Sequence, residues 1–212
     1  MARPVVAAGV APGLLLGGVV GSGIMAERLA GGNGAVALLG NALATGALLL
    51  ALILSFGPLS GAHLNPLVTA MEWWGGKMSG GQALGYVAAQ VVGAVGGVVL
   101  AEVMFEAPVL AWSGQGRSGW GQWTGEVVAS FGLLSVIRGT SGREAGGTPV
   151  AVAAYIVGAY WFTSSTSFAN PAATLARSLT DSYAGIAPGD ILGFVAAQLA
   201  GAALAIIFWR EA

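Results

Sequence analysis

Ser60-Gly61-Ala62-His63-Leu64-Asn65-Pro66-Leu67 is answered, later in the chain, by Ser167-Phe168-Ala169-Asn170-Pro171-Ala172-Ala173. In each stretch Asn precedes Pro and a short apolar run follows. Asn is a preferred N-cap because its side-chain oxygen takes an orphan backbone N–H, and Pro is favoured at the first helical position, where its missing N–H costs nothing. Both stretches are therefore read as helix starts. The run after the first, Leu67 to Trp74, meets Gly75-Gly76, a stop signal. It is too short to cross a bilayer, which needs roughly 20 apolar residues. The second run is similar.

These short helices lie in a chain made for lipid. Of its 212 residues 56% are hydrophobic and 8% charged, far from the roughly 25% charged residues of soluble domains. Charge-poor stretches supply about six spanning segments, near 5–25, 35–56, 83–105, 125–137, 149–162 and 191–209, with Gly57-Pro58 read as the end of the second. The first is too long for a signal-peptide core and is read as a retained helix. Trp112, Trp120 and Trp123 suit an interfacial aromatic belt. Irregular backbone at membrane depth is tolerated only where it is buried in protein or lines a water-filled cavity, so the two Asn-Pro stretches are expected to line a path through the membrane. The absence of cysteine excludes disulfides, thiolate metal sites and a Cys nucleophile, and a single histidine, His63, excludes a multi-His metal site. No cofactor is expected. A net charge of −1 leaves no nucleic-acid footprint.

The two halves repeat. Gly85-Tyr86-Val87-Ala88-Ala89-Gln90-Val91-Val92-Gly93-Ala94 returns as Gly193-Phe194-Val195-Ala196-Ala197-Gln198-Leu199-Ala200-Gly201-Ala202, each time on the segment after an Asn-Pro stretch. A single domain over 1–212 is expected, with repeat one at about 1–107 and repeat two at about 120–212. Three spans and one half-helix per repeat are an odd number of crossings, so the second repeat lies inverted and the half-helices meet near the midplane. Arg3, Lys77, Arg138, Arg143 and Arg210 fall on one side, and Arg28, Arg117 and Arg177 on the other. The excess is read as termini in the cytoplasm, and a cell (inner) membrane is the expected location.

With two Asn-Pro boxes in inverted repeats, the chain resembles the major intrinsic protein family, the aquaporins and aquaglyceroporins. The resemblance implies an all-α membrane protein of six transmembrane helices plus two re-entrant half-helices, assembled as a homotetramer in the lipid bilayer. It implies that Asn65 and Asn170 turn amide N–H groups to the pore within the boxes Asn65-Pro66-Leu67 and Asn170-Pro171-Ala172, Leu67 departing from the usual Ala. Counting from the boxes puts an outer selectivity filter at Thr45, Gly158, Ser167 and Ala173, with no aromatic, His or Arg. Such a filter is wide, weakly polar and uncharged. Arg177, a helical turn beyond Ala173, is expected at another depth. The phrase Asn170-Pro171-Ala172-Ala173-Thr174-Leu175-Ala176-Arg177 is also similar to the bacterial branch associated with arsenic resistance. The resemblance further implies pore-lining carbonyls at Gly61, Ala62 and His63 on one side and at Ser165, Thr166 and Ser167 on the other. It makes Glu126 a buried acceptor for loop backbone, with Ala8 where its mirror would stand. Gln90 and Gln198 either fix the loops or only pack between helices.

The function so implied is passive passage of small uncharged solutes, namely glycerol-like polyols and undissociated arsenite, together with water. No enzyme activity is expected. Other classes compete. An ion-coupled secondary transporter also uses inverted repeats and broken helices, and would show saturable flux. A water-selective or mainly structural member of the same fold is a further alternative. An intramembrane serine protease would need Ser60 and His63, but they sit three residues apart on a turn and leave the second box unexplained.

Overall fold

The computed structural model describes residues 2–142 and 147–210, so Arg143 lies outside the described residues. Among them are eight α-helices: α1 (Ala2–Leu29), α2 (Gly34–Ser60), α3 (Pro66–Trp74), α4 (Gly80–Met104), α5 (Trp120–Thr140), α6 (Gly147–Phe162), α7 (Pro171–Arg177) and α8 (Ile191–Arg210), with a 3₁₀ turn at Pro188–Asp190. By length and composition α1, α2, α4 and α8 are able to cross a bilayer, and α6 is a shorter apolar helix. The two short helices, of 9 and 7 residues, are those that follow the Asn-Pro pairs.

Local signals account for the boundaries. Asn33 caps α2 by accepting from Ala35 N and Val36 N, and Ser79 with Gln82 forms a reciprocal capping box on α4. The expected end of the second helix at Gly57-Pro58 is corrected: α2 runs on to Ser60. Pro58 falls in the last turn, and the end is closed instead by Gly61, left-handed at φ 73°, whose N–H bonds Gly57 O. α5 begins at Trp120 rather than Gly125, adding more than a turn to a helix that composition alone made too short.

In lipid no hydrophobic effect drives helix against helix, so close approach of small residues must do so. Gly9, Gly13 and Gly17 of α1 face Ala89, Gly93 and Gly97 of α4. A methyl built on Gly93 would land on the backbone oxygen of Gly9, and one on Gly97 on that of Gly13. In the second half Gly201 of α8 meets Val127 O of α5 in the same way. Trp112 and Trp120 are exposed as a belt requires, but Trp123 is not: it packs against the buried cluster of Phe168, Ile186 and Phe194. The loop from Phe105 to Gly119 is tied to the segment after α7 by Ser113 N to Ser178 O (3.0 Å), Ala187 N to Gln115 O (2.7 Å) and Gly114 N to Asp181 Oδ1 (2.9 Å).

Candidate functional site

Each Asn of the two boxes does two jobs. Asn65 Oδ1 accepts from Leu67 N (2.9 Å), capping α3, while its Nδ2 donates to Ala169 O of the other loop (2.7 Å). Asn170 Oδ1 accepts from Ala172 N (3.0 Å) and Ala173 N (3.2 Å), and its Nδ2 donates to Leu64 O (2.9 Å). Every amide has two N–H groups, so each Asn keeps one for the cavity that both line. The accepting carbonyls are turned inward by left-handed backbone at matching positions, Ala62 (φ 44°) and Leu64 (φ 55°) in the first loop, Ser167 (φ 51°) and Ala169 (φ 47°) in the second. For residues with a Cβ this conformation costs about 1–2 kcal/mol each, and it persists because the surroundings hold it. Asn170→Asp removes the donor and sets a carboxylate against Leu64 O. A stability loss of about 1–3 kcal/mol is expected, read as a lower melting temperature in detergent. An unchanged melting temperature would show that this cross-bond carries no weight.

The second loop is held from behind by a buried carboxylate. Glu126 Oε1 accepts from Phe168 N (2.8 Å), and Oε2 accepts from Ala169 N (2.8 Å) and Gln198 Nε2 (2.6 Å). Gln198 Nε2 also reaches Thr174 Oγ1 (2.8 Å), which donates to Asn170 O (2.9 Å). In the first half Gln90 Nε2 donates to Thr69 Oγ1 (2.9 Å), Thr69 bonds Asn65 O (3.3 Å), and His63 Nδ1 lies 3.0 Å from the same hydroxyl. Both glutamines thus tie a helix of the bundle to a half-helix rather than only packing. Ala8 is buried and offers no acceptor, so the two loops are supported unequally.

Between the half-helices lies a cavity of about 140 Å³, far above the ~10–15 Å³ that a single water requires. Gly61, Ala62, His63, Asn65 and Asn170 line it, together with Thr45, Tyr160, Ser167, Phe168, Ala173 and Arg177. Apolar side chains of Leu15, Leu16, Val19, Leu49, Val152 and Ile156 complete the wall. Thr45 Oγ1 and Tyr160 Oη are 3.2 Å apart. Arg177 is 3% exposed, donates from Nε to Ala184 O and holds its guanidinium carbon 3.3 Å from the centre of the Phe168 ring.

Residues 1–167 match the profile of the major intrinsic protein family. The chain is also 47% identical over 211 residues, 99% of this chain and 90% of the other, to Aquaglyceroporin AqpS of Rhizobium meliloti (strain 1021). This chain belongs to the major intrinsic protein family. A shorter match, 46% identical over 59 residues, joins 28% of it to 22% of the Lens fiber major intrinsic protein of Lithobates pipiens. As a member of that family it is a multi-pass membrane channel and not an enzyme.

The cavity of this family member differs from the expected filter and lining carbonyls in three places. Gly158 is exposed on the outer side of α6 and does not line the cavity. The inward face of α6 is Val152, Ile156 and Tyr160, spaced by four, and Tyr160 stands beside Thr45 where the count put a glycine. Ser165 and Thr166 are not among the lining residues either: Ser165 O and Thr166 Oγ1 lie 3.5 and 3.4 Å from Arg117 Nη1, and the second loop meets the cavity through Ser167 and Phe168. Finally, Arg177, expected at another depth, lines the same cavity as Thr45, Ser167 and Ala173. Side chains of a helix lean toward its N-terminus, and Arg is long enough to reach back the turn that separates it from Ala173.

Proposed function

We propose that this channel has six membrane-spanning helices and two re-entrant half-helices in inverted repeats, and that it passes small uncharged solutes. The favoured substrates are glycerol-like polyols and undissociated arsenite, with water passing as well. The supporting observation is the mixed wall of the cavity. Amide N–H groups of Asn65 and Asn170, the Arg177 guanidinium and the Gly61–His63 carbonyls serve hydroxyl groups, while Leu15, Val19, Leu49 and Ile156 serve a carbon chain. Fixed donors and acceptors replace hydration one contact at a time, so a neutral solute crosses down its gradient without coupling. The name of the rhizobial relative points the same way. Termini in the cytoplasm of a cell membrane and a homotetrameric assembly belong to the same proposal.

Stopped-flow swelling of proteoliposomes tests it. Glycerol and arsenite should enter far faster than in protein-free vesicles. Ala173 is a cavity methyl, so Ala173→Leu should lower both fluxes at least ten-fold while lowering water flux much less. Wild-type vesicles no more permeable than bare lipid would end this reading.

A further inference from the structure

Arg117 lies in the loop between α4 and α5, outside the cavity wall, yet it stands directly behind Phe168, which lines the cavity. Its Nε donates to Gly185 O (2.7 Å), Nη2 to Tyr183 O (3.4 Å), and Nη1 to Ser165 O (3.5 Å) and Thr166 Oγ1 (3.4 Å). One side chain therefore clips the segment after α7 to the loop before it. Its guanidinium carbon is 5.0 Å from the centre of the Phe168 ring, the same ring that carries Arg177 at 3.3 Å. Two guanidinium groups thus share one aromatic ring of the cavity wall, and charges buried behind protein are screened by salt much less than exposed ones.

Neither charge is neutralised by an ion pair among the described residues. Among the described residues the one salt bridge is Lys77 with Glu72 (2.9 Å), on α3 and the turn after it. Asp190 Oδ2 takes the backbone N–H of Arg117 (2.7 Å) rather than its side chain, and Asp181 takes Gly114 N. Glu126 spends its oxygens on Phe168 N, Ala169 N and Gln198. Burial pulls the Arg117 pKa below the ordinary arginine value, but an arginine stays protonated in any case.

We infer that Arg117 is a specificity-determining residue of this channel, which excludes small cations from the cavity by adding a second fixed positive charge behind Phe168 and Arg177. The inference rests on the channel reading above and assigns to the α4–α5 loop a part in selection. Low-dielectric walls focus such charge into a cleft, and a cation small enough to fit meets the summed repulsion of both groups where a polyol meets none.

The test compares methylammonium with glycerol uptake in proteoliposomes of the full chain. Arg117→Gln should raise the methylammonium-to-glycerol ratio at least ten-fold, and Arg117→Lys, which keeps charge but cannot span the same carbonyls, should return it to near the wild-type value. Thr166→Asp offers a second route. Thr166 is left-handed (φ 58°), a conformation Asp tolerates, and a carboxylate there would neutralise Arg117 without removing it. The ratio should rise with Thr166→Asp and stay put with Thr166→Asn. An unchanged ratio in Arg117→Gln and Thr166→Asp vesicles that still pass glycerol overturns the inference. So does an equal rise with Gln and Lys, which would make Arg117 a strut alone. Wild-type vesicles that pass no glycerol would instead overturn the channel reading.

Discussion

Glu126→Leu should give a protein that melts well below the wild type and passes little or no solute. Leu fills much of the same volume but leaves Phe168 N, Ala169 N and Gln198 Nε2 without the acceptor they now share. An unpaired buried donor costs about 1–3 kcal/mol, and three at once consume a large share of the ~5–15 kcal/mol that separates native from unfolded chains. The loss is expected to be local before it is global. Phe168 and Ala169 precede Asn170, so slack there moves the Asn170 amide, Ser167 and the Phe168 ring together. Thermal melting and glycerol swelling read the two consequences separately. Wild-type values in both would show the carboxylate to be dispensable.

Gly93→Val should abolish folded protein altogether. The first atom of the new side chain falls on the backbone oxygen of Gly9, and a backbone atom cannot rotate aside as a side chain would. α1 and α4 would have to separate, undoing the contacts at Gly13 and Gly97 as well. Overpacking typically costs about 1–3 kcal/mol when side chains yield, and here only whole helices are free to move. Gly96→Ala is the control, since nothing lies within reach of its Cβ. Size-exclusion chromatography of detergent-solubilised protein should show a sharp peak for Gly96→Ala and aggregate for Gly93→Val. Equal behaviour of the two would mean that the α1–α4 contact tolerates a larger separation.

The half-helices were legible in the sequence because Asn-Pro has a local meaning: cap, first turn, stop. The bundle around them was legible because apolar stretches of spanning length have little else to do. The cavity wall was harder. Counting along α6 placed Gly158 inward, but a shift of two residues on a helix is a rotation of more than half a turn, enough to exchange Gly158 for Tyr160. Arg177 was missed because counting assigns a depth to the Cα, whereas the depth that matters is that of a guanidinium at the end of a long side chain. Arg117 gave no signal at all. Its partners Tyr183 and Gly185 are 66 and 68 residues away, in a segment with neither periodicity nor motif.

The crossed amide bonds between the two loops impose an order of manufacture. Asn65 leaves the ribosome long before Ala169, the carbonyl that receives its amide, and Leu64 O waits equally long for Asn170. Until then the first half holds a capped helix, two strained left-handed residues and a polar loop with no counterpart. Closing contacts so distant along the chain is a slow step. The early half must therefore be sheltered, by water, translocon or chaperone, through synthesis of about a hundred residues more. A channel that stalls or is truncated before Ala169 leaves in the membrane a half-built polar loop and no finished pore, a ready target for quality control.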